Sequence, residues 1–115
     1  MTTTKRSPCP VACTLDIIGD KWTLLIVRDM HFGRSHFKEF MDSPEGIATN
    51  ILSDRLAKLV QWGLAEKFPS EASPGRDAYR LTSKGSSLGP VLKAIADWGL
   101  AEIKGTSKRL LSKGK

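Results

Sequence analysis

The apolar positions of this chain fall into helical stripes, interrupted once by a stretch of strict alternation. Val11, Leu15 and Ile18 recur behind Pro10, which opens a helix where its missing N–H is harmless; Gly19 ends it. Asp20 is placed as the N-cap of a second helix, from Lys21 to about His31. Trp22, Leu24, Leu25, Ile26, Val27 and Met30 make that helix apolar nearly all round, which predicts the central, most buried one. Gly33 stops it. Ser35 stands where it can cap a short third helix running to about Met41, with Phe37 and Phe40 turned inward. Ser43-Pro44-Glu45-Gly46 reads as a turn.

The stretch from Gly46 to Lys67 follows, and the rest of the chain is organised around it. It predicts a helix from Thr49 to Trp62. Ala48, Leu52, Leu56 and Leu59 stack on one side, and Asn50, Asp54, Ala57 and Gln61 on the other, with Thr49 and Ser53 on a flank. A helix held by its Leu face, with short polar side chains outward, has the shape of a major-groove reader. Taken alone it fits an ordinary surface helix equally well, so the flanks decide. After Gly63 the period becomes two: Leu64, Glu66 and Phe68 alternate with Ala65 and Lys67. Ser73-Pro74-Gly75-Arg76 has the residue order of a type II turn, and Tyr79 and Leu81 alternate with Ala78, Arg80 and Thr82 in a second strand. Two helices joined by a short turn, then a hairpin, make a winged helix-turn-helix. Thr82 is placed to cap one last helix carrying Leu88, Val91, Leu92, Ile95, Trp98 and Ile103, which Pro90 bends or interrupts in its first turn. The fold class is mostly α with a small β-hairpin wing (α+β). One domain, residues 9–103, lies between a flexible arm, 1–8, and a basic, mobile tail, 104–115.

Length supports a single core. The net charge of +6 comes largely from the ends: Lys5 and Arg6, then Lys104, Lys108, Arg109, Lys113 and Lys115. Between Ser7 and Ile103 there are 11 basic and 12 acidic residues, yet Arg55 to Lys93 holds seven basic and three acidic ones. Basic tails and a basic half favour a polyanionic partner over a merely solvated face. No apolar run reaches membrane-spanning length, and MTTTKRSPCP lacks the apolar segment of a signal peptide. The expected compartment is therefore the cytoplasm, where Cys9 and Cys13 are reduced by default.

Candidate chemistry divides accordingly. Lys38, Arg55, Lys58, Arg76 and Arg80 are the candidate phosphate contacts, with His36 and Lys67 behind them. Thr49, Asn50, Ser53 and Asp54 are the candidate base readers, Asn being able to pair bidentately with adenine. Arg55, on the edge of the apolar face, has a competing role as a core brace. Arg76, at the wing tip, is placed to enter a minor groove. Val11, Leu15, Leu88, Val91, Leu92, Ile95 and Trp98 are more apolar surface than a chain of this size readily covers. They are read as a dimer surface, against the alternative that they pack on their own core. Cys9 precedes a helix N-terminus close to Lys5 and Arg6, a setting that favours the thiolate; with Cys13 it forms a redox candidate, against the alternative of a small inert side chain.

Other chemistry has little support. Cys9, Cys13, His31 and His36 only loosely match zinc-ligand spacing, and two apolar helices, not a metal, account for their placement. No phosphate loop, nucleophile motif or carboxylate cluster points to catalysis, and no cofactor is implied. A thiol oxidoreductase would need Cys-x-x-Cys and alternating strands and helices. A winged helix that binds protein would keep this core but lose the basic outer face.

Five segments carry a resemblance: CPVACTLDIIGDKWTLLIVRDM (9–30), FKEF (37–40), GIATNILSDRLAKLVQWGL (46–64), AYRLTSKG (78–85) and PVLKAIADWG (90–99). In this order they resemble the HxlR family of bacterial and archaeal transcription regulators, relatives of the MarR winged helices. The resemblance implies a homodimer, built from the terminal helices, that binds double-stranded operator DNA; such a dimer reads a pseudo-palindrome. Family members include repressors and activators, and some relatives sense oxidants or electrophiles with the cysteine at the position of Cys9. The chain departs from the pattern at Gly33-Arg34, at Cys13, which stands at a variable position, and in its Lys-rich tail.

Overall fold

The computed structural model describes residues 6–108. Lys5 of the arm and Arg109, Lys113 and Lys115 of the tail lie outside the described residues. The chain runs through α1 (Pro10–Ile18), α2 (Thr23–His31), α3 (Phe37–Met41), α4 (Thr49–Gln61), β1 (Ala65–Pro69), β2 (Asp77–Leu81), α5 (Ser83–Ser86) and α6 (Gly89–Glu102).

Asp20 caps α2 as its residue type predicts. Its carboxylate accepts the N–H groups of Trp22 and Thr23 at 3.0 and 3.2 Å and the Thr23 hydroxyl. The regular helix therefore starts at Thr23, two residues later than expected. Its inner face, with Ile26, Val27 and Met30, packs with Phe40, Ile47, Leu52, Leu56, Leu59, Leu64 and Ala65 into one core. Leu52, Leu56 and Leu59 are fully buried, so the three- and four-residue spacing of α4 holds for them. Ala48 departs from the expected stripe. It is exposed and extended at the N-terminal boundary of α4, and Ile47 fills the core in its place.

A Schellman closure ends α4: the Leu64 N–H bonds the Leu59 carbonyl at 2.9 Å and the Gly63 N–H that of Val60 at 3.0 Å. The chain then enters an antiparallel hairpin with Ala65 opposite Leu81 and Pro69 opposite Asp77. Its connection contains the expected type II turn. The Arg76 N–H meets the Ser73 carbonyl at 3.0 Å, and Gly75 sits at φ +86°, which a side chain would resist.

Two expectations about caps are corrected. His36, rather than Ser35, stands at the N-terminus of α3, and Glu39 reaches back to accept the N–H groups of both Ser35 and His36 at 2.7 and 3.0 Å. Ser35 is drawn off by the wing, its carbonyl accepting the Tyr79 N–H at 2.8 Å while His36 bridges Ala78. Thr82 does cap a helix, its hydroxyl accepting the Gly85 N–H at 3.1 Å, but that helix is the four-residue α5. The chain turns at Ser87 and Leu88, and α6 starts afresh with Pro90 in its first turn, where no N–H is needed. The single last helix of the sequence reading is thus two.

α1 and α6 stand apart from this packing. Ile18 is the one buried residue of α1, and α6 has none. Val11 is 66% exposed and Trp98 64%, with Leu15, Ile95 and Ile103 also exposed. Leu88 and Leu92 differ from them: both are half-buried and pack against the core.

Candidate nucleic-acid interface

The outward face of α4 is held in place by two ion-pair networks behind it. In the first, Asp20 joins the start of α2 to α4 through Arg55, Nε to Oδ2 at 2.9 Å. Partial burial pushes the Asp20 carboxyl up, but bonds from Thr23, Arg55 and the Trp22 N–H outweigh it and hold the pKa down at about 2. In the second, Arg28 of α2 grips Glu45 in the turn before α4 with two bonds of 2.8 Å, and Asp29 with bonds of 3.0 and 3.1 Å. Asp29 also accepts the hydroxyl of the buried Ser43. The Glu45 bond raises the Arg28 pKa, and the same bond lowers that of Glu45. At the far end, Lys84 of α5 reaches the Trp62 carbonyl at 3.0 Å and so caps α4 from outside.

On the outward side, Thr49, Asn50 and Ser53 are exposed, and their side chains make no hydrogen bond within the described residues. Asp54 is engaged: it accepts Arg55 Nη1 at 2.5 Å and lies 3.4 Å from Lys58 Nζ. Arg55, with both carboxylates on it, has the bracing geometry that competed with its phosphate role. On the wing, Arg76 is exposed at the turn. Arg80 lies over the Phe68 ring at 4.2 Å and pairs with Glu66 at 2.7 Å. Lys67 is 3.8 Å from Asp77, and Lys38 is exposed on α3. His36 serves the base of the wing, its Nε2 2.7 Å from the hydroxyl of the buried Ser70.

A helix-turn-helix with a wing and a free polar face on its second helix is the geometry of a known family. The model of the HxlR-like helix-turn-helix family matches residues 17–107. The chain belongs to that family.

Among HxlR-like relatives, it is 37% identical over 89 residues to the HTH-type transcriptional regulator MT3179 of Mycobacterium tuberculosis (strain CDC 1551 / Oshkosh), covering 77% of this chain. The match spans 56% of that relative's length, so the chain accounts for little more than half of it. Among solved structures, it superposes on the candidate transcription factor PA1607 with a TM-score of 0.81 and 45% identity, covering 92% of this chain and 75% of that one. The redox regulator HypR in its reduced form superposes with a TM-score of 0.75 and 29% identity over 84% of this chain and 95% of that one. The mostly helical fold with its wing is therefore that of MarR-like winged-helix regulators. No helix among the described residues is long and apolar enough to cross a membrane.

The cysteines of this HxlR-like chain sit one helical turn apart at the start of α1. Cys9 is exposed, and Cys13 is half-buried with its Sγ 3.3 Å from the Ser7 carbonyl. Arg6, expected to bear on Cys9, is ion-paired with Asp16 at 2.7 Å. Sequence reasoning missed Arg28, Glu45, His36 with Ser70, and the capping role of Lys84. One signal was available: Arg28 and Asp29 interrupt an otherwise apolar helix, and buried charges demand partners.

Proposed function

We propose that this chain is a sequence-specific, double-stranded-DNA-binding transcription regulator that acts as a homodimer in the cytoplasm. The observation that carries the reading is the outward face of α4. Thr49, Asn50 and Ser53 stand there without internal partners, on a helix fixed from behind by Arg55–Asp20 and Arg28–Glu45. Rigid placement with unspent donors and acceptors is what base reading requires. Asn50 is the lead base contact, Asp54 the weakest. Arg76, Lys38 and Lys58 supply phosphate contacts, with Arg80 on the wing edge; Arg55 acts by holding the helix. The apolar sides of α1 and α6, with the exposed Val11, Leu15, Ile95 and Trp98 and the half-buried Val91, form the dimer surface and set the spacing of two α4 helices. The reading gives the protein no catalytic residue and no cofactor.

Cys9 adds a redox-responsive or electrophile-responsive input. It is exposed at the start of a dimerisation helix, so modification there, or a bridge to the partner's cysteine, bears on the geometry between subunits. A protein of similar fold, HypR, is itself a redox regulator.

The test is selection of bound duplexes from a random pool by the reduced, full-length protein. A pseudo-palindrome with half-sites about one helical turn apart, or a multiple of it, is expected. Asn50→Ala should blur that motif more than it weakens non-specific binding. Recovery of no motif, with undiminished binding, contradicts the reading. Selection repeated after oxidation, with Cys9→Ser as control, tests the cysteine: unchanged affinity after complete modification removes it from the account.

A further inference from the structure

The wing tip is the loop from Ser70 to Arg76, beyond the last paired residues of the hairpin, Pro69 and Asp77. Its own bonds close it on itself. The Ser70 N–H meets the Arg76 carbonyl at 2.9 Å, the Arg76 N–H meets the Ser73 carbonyl at 3.0 Å, and the Ser73 N–H meets the Ser70 hydroxyl at 3.0 Å. Among the described residues, one hydrogen bond ties that loop to the helical body: His36 Nε2 lies 2.7 Å from the hydroxyl of the buried Ser70. The ring is held from its other side as well, with Nδ1 3.0 Å from the Ser35 hydroxyl. Each hydroxyl can donate or accept, so both neutral tautomers complete the chain from Ser35 through His36 to Ser70, and the ring keeps one orientation.

We infer that His36 is a positioning residue for DNA recognition: by way of Ser70 it fixes the turn that carries Arg76 against the start of α3, and so sets the distance between the wing contact and the α4 contact on the duplex. A two-stranded hairpin is marginal by itself, so its tip takes its direction from what it is tied to. The relay is short. Ser70 holds His36 by its side chain and Arg76 by its backbone. A direct phosphate contact from His36 would need a free ring nitrogen, and both are engaged. The consequence for DNA rests on the regulator reading; the tie between His36 and the wing tip does not.

The experiment compares His36→Gln, whose amide stands where Nε2 stands and keeps a bond for Ser70, with His36→Asn, which reaches only as far as Nδ1. Asn is a favourable residue at a helix N-terminus, so α3 is spared. The first readout needs no DNA: hydrogen exchange of the Ser70 and Ser73 amides in the full-length protein. Exchange about fivefold faster is expected in His36→Asn, the worth of one hydrogen bond, with wild-type rates in His36→Gln. Ser70→Ala makes the cut from the other side and should speed exchange at Ser73 at least as much. Unchanged exchange in His36→Asn or Ser70→Ala, or a Gln variant that exchanges as fast as the Asn variant, overturns the tie. The second readout is affinity for the duplex selected above. His36→Asn should weaken binding about fivefold and His36→Gln should not. In an Arg76→Ala background, His36→Asn should change nothing further. No loss, or an equal loss with and without Arg76, overturns the positioning role. Faster exchange in a protein that selects no duplex would sink the regulator reading and keep the tie. Duplex selection with unchanged exchange would do the reverse.

Discussion

The segment from α2 to α5 and the pair formed by α1 and α6 use their apolar side chains in opposite ways. In the first, Leu52, Leu56, Leu59, Val27 and Phe40 are essentially removed from water, and even the charged Arg28 and Asp29 are buried and paired. In the second, Val11, Leu15, Ile95 and Trp98 remain more than half exposed. Burial is the main stabilising term of a fold, so the first segment holds most of the core, while the second lends it Ile18 and Leu92 and leaves the rest of its apolar side chains exposed. The division also separates tasks. The packed half presents the polar face of α4, and the open half is the surface proposed above for a second copy.

The strongest way to break the packed half is Gly85→Ala. Gly85 is buried where α5 meets the start of the wing, and a Cβ there would lie 1.9 Å from the Leu64 carbonyl oxygen. Backbone cannot yield as a side chain does, so a loss of about 4 kcal/mol is expected, read by urea unfolding. Leu56→Ala comes next, at about 3 kcal/mol, the usual result of a cavity in a packed core, and independent of protein concentration. Trp98→Ala sharpens the contrast. Unfolding of the isolated subunit should hardly change, while the dimer dissociation constant rises by about 30-fold, a hot-spot loss of about 2 kcal/mol; sedimentation across concentrations separates the two. Glu45→Gln should cost about 1.5 kcal/mol, because the Arg28 fork loses its charged partner.

The smallest effect is one of pH. The carboxyl of Asp20 is lowered from its ordinary 3.8 to about 2. A depressed carboxyl stabilises the fold above its unfolded pKa and loses that contribution as pH falls through the folded value. Asp20→Asn should therefore lower the melting temperature at neutral pH, and the gap to the wild type should close between about pH 4 and pH 2. A gap that stayed constant down to pH 2 would remove the Asp20 carboxylate from the hold on α4.

The sequence made the local devices legible. Asp20 as cap, the Leu stripe of α4, the Gly63 stop and the turn at Ser73 to Arg76 each rest on residues a few positions apart. What escaped was long-range or conditional. Arg28 meets Glu45 seventeen positions away, and His36 meets Ser70 thirty-four away; no periodicity encodes either. Ser35 was a sound cap by type but was taken by the wing, so α3 begins one residue later with Glu39 supplying the cap. Ala48 fitted the stripe by count, but the helix starts after it. Pro90 marked a disturbance correctly. Its outcome, a new helix and not a bend, depended on α5 packing close to Leu64. The candidate site followed the same rule: the free polar face was readable from α4 alone, whereas the engagement of Arg55 and Arg80 in ion pairs required their partners in space.

The most direct test of the account is fluorescence anisotropy of the reduced, full-length protein with duplex DNA from upstream of its own gene, against a scrambled duplex, at two salt concentrations. The account predicts tight binding selective for the upstream DNA. That binding should weaken as salt rises, with Arg76→Ala reducing the salt dependence and Asn50→Ala removing the selectivity. No binding to either duplex at low salt would contradict it and leave the winged helix as a surface for protein partners.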